Sequence, residues 1–148
     1  MTVERTIVWV HGDDLSPNSP PLMADSGVPA VFVFDDELLR EWKISLKRIV
    51  FMYECLLELP VIIRRGEVAA EVAAFAVGHG ATRILTSRSP SPRLAAIAEQ
   101  IAESSGGRLR VEVVERTPFV KTARKLDLKR FTYYWNAVKN DVLGSQGE

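Results

Sequence analysis

The chain has 148 residues, 47% of them hydrophobic, with 19 basic and 19 acidic side chains. A chain of about 150 residues buries roughly 70% of the surface it exposes when unfolded, so one domain with a sizeable core is within reach. The cancelling charge excludes a global field for nucleic acid or an anionic membrane, and charges break every apolar run well short of the ~20 residues that span a bilayer.

Residues 1–5 lack the apolar stretch of a secretory leader. The lone Cys55, beside Leu56 and Leu57, reads as a small buried hydrophobe in a reducing compartment, so a cytoplasmic location is expected. One cysteine and two histidines give no recognised zinc spacing, and no metal is expected.

Ile7-Val8-Trp9-Val10 is a short apolar run that reads as a strand buried on both faces. The proline-rich stretch from Ser16 to Pro21 is loop, with a short helical turn expected between Pro21 and Ser26. Val31-Phe-Val-Phe34 is the second strand, closed by Asp35-Asp36. Residues 37–59 read as one helix whose core stripe is Leu46, Ile49, Val50, Tyr53, Leu56 and Leu57. Pro60 ends it, Val61-Ile-Ile63 is the third strand, and Arg64-Arg65-Gly66 the turn.

Glu67 to Gly78 reads as a helix with Val68, Val72, Phe75 and Ala76 on its apolar face and a glycine-assisted stop at Gly78-His79-Gly80. Thr82–Thr86 is the fourth strand. Ser91 to Ser105 is the next helix, with Ser91 at the N-cap and Pro92 at its first position. Leu109–Val114 alternates like an edge strand. A last amphipathic helix is expected from Asp127 to about Leu143, carrying Phe131, Trp135 and Val138, with a disordered tail from Gly144.

Strands alternating with helices give an α/β, three-layer Rossmann-like fold: a five-stranded parallel sheet, order 3-2-1-4-5, as one domain over residues 1–143. Ligands in such sheets bind outside the carboxyl ends of the strands, at the point where the strand order reverses. Those ends are His11–Leu15, Asp35-Asp36, Arg64–Glu67 and Thr86–Pro90.

Five segments stand out together: Trp9-Val10-His11-Gly12-Asp13-Asp14-Leu15 with Asn18, Phe32-Val33-Phe34-Asp35, Arg64-Arg65-Gly66-Glu67, Gly80-Ala81-Thr82 and Phe131-Thr132-Tyr133-Tyr134-Trp135. In this order they resemble the N-terminal α/β domain of the DNA photolyase and cryptochrome family. The match runs over roughly residues 6–138. His11 and Gly12 stand where the family has a basic pair, and Ser16 follows Leu15 where the family has arginine. The family's flavin-binding helical domain has no counterpart in these residues. The resemblance therefore implies a stand-alone, non-catalytic module. It would hold a nucleotide or an antenna-type chromophore (a deazaflavin, flavin or folate), or dock onto a separate flavoprotein.

Candidate ligand residues are His11, Gly12, Asp13 and Asp14 at the first turn, Asp35 and Asp36 after the second strand, and Thr86, Ser87 and Arg88 after the fourth. Backbone amides and acids at these places suit a phosphate, a ribose or an amino-pyrimidine. The same residues also suit plain turns and helix caps. No glycine-rich phosphate cradle is present, and no nucleophile–base pair marks an enzyme.

Arg130, Tyr133 and Tyr134 are the candidate partner surface, because the aromatics of that helix cannot all share one face. A homodimer through this helix is the alternative function. A stress-protein-like adenine-nucleotide binder is another. Tight nucleic-acid binding is not expected, and no membrane role is.

Overall fold

The computed structural model describes residues 4–24 and 27–115. The chain divides into two units, Met1–Arg116 and Thr117–Glu148. The expected helix 127–143, the aromatic cluster with Arg130, Tyr133 and Tyr134, and the expected tail from Gly144 lie outside the described residues.

The elements in chain order are β1 (Thr6–Trp9), α1 (Pro20–Ala24), β2 (Ala30–Phe34), α2 (Asp36–Glu41), α3 (Leu46–Leu57), β3 (Ile62–Arg65), α4 (Val68–Gly78), β4 (Arg83–Ser87), α5 (Pro92–Ser104) and β5 (Arg110–Val114). The five strands form one sheet in the order β3-β2-β1-β4-β5. Every pairing is parallel, with Val8 beside Ala30 and Leu85 beside Glu112. The expected fold class and strand order are both found.

Strand periodicity builds the two cores. Ile7, Trp9, Val31, Val33 and Ile84 point to one face, where Val72, Phe75 and Ala76 of α4 and Ile97 and Ile101 of α5 cover them. Val8, Val10, Ala30, Phe32 and Leu85 point to the other, under Leu56 and Leu59. Phe75 is fully buried, and sealing a side chain of that size stabilises by about 1.5–3 kcal/mol. Among the described residues no helix is long and apolar enough to cross a membrane.

Three differences from the sequence reading matter. Arg64 and Arg65 belong to β3 rather than to the turn after it. The helix expected over 37–59 is two helices, α2 and α3, broken at Trp42–Ser45. The expected core stripe of α3 is also displaced. Met52 and Leu56 are buried, whereas Leu46, Val50, Tyr53 and Leu57 are exposed.

The break between α2 and α3 has a specific cause. After α4, Ala81 N–H bonds the Ala76 carbonyl and Gly80 N–H that of Val77. After α5, Gly107 bonds Ala102 and Gly106 bonds Glu103 in the same paired pattern. In both, a glycine takes the required left-handed turn, at φ 64°. The end of α2 repeats the pattern, Ile44 to Leu39 and Lys43 to Arg40, but Lys43 holds φ 52°. A side chain there costs about 1–2 kcal/mol, partly offset by the greater unfolded-state freedom of glycine. Lys43→Gly is expected to raise stability by about 0.5–1 kcal/mol in urea unfolding; a midpoint that falls contradicts the cap.

Candidate functional site

Every polar residue that is buried among the described residues lies at the carboxyl end of β1 and β4: His11, Asp14, Ser19, Thr86 and Ser87. His11 Nδ1 accepts the Asp13 amide at 3.3 Å. Its Nε2–H then donates to the Ser87 carbonyl at 2.8 Å. Ser87 Oγ donates to the Asp14 carboxylate and lies 3.2 Å from Ser19 Oγ. Thr86 Oγ1 donates to the Trp9 carbonyl at 2.9 Å. No buried side-chain polar atom among the described residues lacks a partner. Protein groups bonded to one another thus occupy much of the crevice where the strand order reverses, leaving a small hollow lined by Trp9, His11, Thr86 and Ser87.

The open volume lies beside it. A cavity of about 300 Å³ opens over the ends of β1 and β2, reached by α2, α3 and the start of α5. Trp9, Phe34, Trp42 and Met52 supply apolar wall, and Arg48 and Arg93 supply charge. The Arg93 guanidinium sits 5.1 Å from the Trp42 ring centre, a cation–π distance. Gly12 faces Met52 so closely that an added Cβ would lie 3.3 Å from the sulfur. A smaller hollow of about 90 Å³ follows β4.

The sequence-derived candidates separate by position. His11, Gly12, Asp13 and Asp35 line the main cavity. Thr86, Ser87 and Arg88 line the smaller hollow, and Asp14 belongs to the buried network. Asp35 Oδ1 accepts the amides of Glu37 and Leu38, and Oδ2 accepts that of Val68 at 3.2 Å. One carboxylate therefore starts both α2 and α4. Asp36 lies outside the cavity lining and pairs with Arg65. The hydrogen bond from that guanidinium holds the Asp36 carboxyl below the usual carboxylate range. The pair is exposed and so adds little to stability.

Arg88 pairs with Glu115 on the surface. Ser89 Oγ donates to Asp13 and accepts the Ser91 amide at 3.0 Å. Ser91 occupies the N-cap position of α5, as expected, but its side chain makes no cap bond. Pro92 follows it at the first turn. Trp42, Arg48, Met52 and Arg93 were not singled out from sequence. The one local signal for their neighbourhood is Ser45, whose hydroxyl accepts the Arg48 amide and starts α3.

No family model matches the chain, and no curated protein matches it. Among solved structures, it is similar to a bacterial class III photolyase from Agrobacterium tumefaciens, at 18% identity and a TM-score of 0.57. The match covers 94% of this chain and 32% of the photolyase, so the chain spans about a third of that protein's length. A second neighbour is a protein described as hypothetical, whose biochemical function was assigned from its structure. It is 16% identical with a TM-score of 0.47, over 78% of this chain and 99% of that one. The likeness to the photolyase shows the fold: a parallel α/β sheet of the kind that carries its ligands at the strands' carboxyl ends.

Proposed function

We propose that the chain is a binding module for a planar, anionic heteroaromatic molecule, a nucleotide or an antenna-type chromophore of the flavin, deazaflavin or folate class. The carrying observation is the cavity over β1 and β2, where indole and phenyl surfaces meet two guanidinium groups. Its volume falls at the lower end of the range for small-molecule sites, and mostly apolar walls with a few polar groups are their usual make-up. Rings would stack on Trp42, and a phosphate or carboxylate would pair with Arg48 or Arg93. Binding rather than catalysis is favoured because both His11 nitrogens and both Asp35 oxygens already hold backbone groups. The photolyase-like fold is consistent with the chromophore class.

Riboflavin, FMN, folate, AMP and ATP are to be titrated while intrinsic tryptophan fluorescence and the melting temperature are followed. One of them is expected to quench fluorescence and, at a hundredfold excess over its dissociation constant, to stabilise by about 2.7 kcal/mol. Arg48→Ala, at an exposed position, is expected to weaken that ligand about 10-fold without lowering the melting temperature of the free protein. No response to any of the five at millimolar concentration refutes the proposal.

A further inference from the structure

Helix α3 is apolar along two lines rather than one. Met52 and Leu56 face the sheet. Leu46, Val50, Tyr53 and Leu57 form a second line, each exposed, from 47% at Tyr53 to 75% at Leu46. Their 4-3-4 spacing keeps them within about 60° of one another around the helix, the seam of a helix pair rather than a scatter of surface residues. The charges beside the seam are also ordered. Lys47 stands at the start, and Glu54 and Glu58 at the end. None of the three makes an ion pair among the described residues. This order opposes the helix dipole, which favours acids at the start and bases at the end. Within one copy the arrangement is mildly unfavourable.

Against a second copy running antiparallel it is complementary. Leu46 falls opposite the partner's Leu57 and Val50 opposite the partner's Tyr53. Lys47 comes alongside the partner's Glu54, and two-fold symmetry makes each contact twice. We infer that this face of α3 is a homodimer surface, paired antiparallel through Leu46, Val50, Tyr53 and Leu57 and set in register by Lys47 and Glu54. The cavity lies on a different side of α3, at Arg48 and Met52, so dimerisation and ligand binding are separable.

Sedimentation equilibrium of the full chain, from roughly 1 μM to 1 mM, tests this. A concentration-dependent dimer is expected. Val50→Glu and Leu57→Glu each put two charges into the seam and are expected to weaken it at least about 100-fold, with unchanged circular dichroism. Lys47→Glu or Glu54→Lys alone is expected to weaken it about 10-fold, since like charges then meet at two places. The double exchange, Lys47→Glu with Glu54→Lys, is expected to return it to within about threefold of the parent. A monomer at the highest concentration, a dimer indifferent to Val50→Glu and Leu57→Glu, or a double exchange no better than the single changes overturns the inference.

Discussion

Replacing His11 with alanine is expected to cost about 3 kcal/mol and lower the melting temperature by roughly 10 °C or more. The imidazole is 4% exposed and meets the Trp9 ring edge-on at a centroid distance of 6.0 Å. Its removal leaves the Ser87 carbonyl and the Asp13 amide without their side-chain partner, and an unmet buried polar group costs about 1–3 kcal/mol. A void beside Trp9 adds a packing loss. His11→Gln offers an amide N–H near the position of Nε2 and keeps the shorter bond to Ser87. It is expected to recover more than half of the loss. Guanidinium unfolding of the three proteins decides the matter. A His11→Ala midpoint equal to that of the parent contradicts the structural role. So does a glutamine variant as unstable as the alanine one, because the Ser87 bond is then not what holds the two strand ends together.

That role was only half legible in the amino-acid order. The apolar runs at 7–10 and 31–34 identify strands covered on both faces, and helices between strands identify a parallel sheet. These signals are local, and they sufficed for the strand order. His11 and Asp35 were recognisable as residues at strand ends. Their distant partners were not, because the Ser87 carbonyl and the Val68 amide are main-chain groups 76 and 33 residues away.

The helix break at Trp42–Ser45 was hidden for a related reason. Lysine takes the left-handed position that glycine marks after α4 and α5, so the usual punctuation is missing. On α3 the apolar residues fit two lines at helical spacing. Periodicity alone does not say which line meets the sheet, and Leu59 and Phe32, which Leu56 joins in the core, decide it. The cavity depends on both points. Trp42 reaches it because the chain turns after α2, and Arg93 because the crossover from β4 brings α5 beside α2.

Asp35→Ala carries the second large effect, and it separates a structural carboxylate from a ligand-binding one. Three backbone amides lose their acceptor: those of Glu37 and Leu38 at the start of α2, and that of Val68 at the start of α4. The N-cap position of α4 itself supplies no side-chain bond, so Asp35 caps that helix from a distance. Loss of one N-cap costs about 0.5–2 kcal/mol, and a charged acceptor at a second helix start adds to it. The expected sum is about 2–3 kcal/mol. Asp35→Asn is the sharper probe. Its carbonyl can still cap α2, but its NH₂ then faces the Val68 N–H, donor against donor. About half of the alanine effect is expected, with faster amide exchange confined to the first turn of α4. Because Leu38 and Trp42 line the cavity from the helix that Asp35 anchors, both variants are expected to weaken the ligand proposed for the cavity, the alanine variant more than the asparagine one. An asparagine variant of parental stability that nevertheless loses the ligand would reverse the assignment and make Asp35 a direct contact.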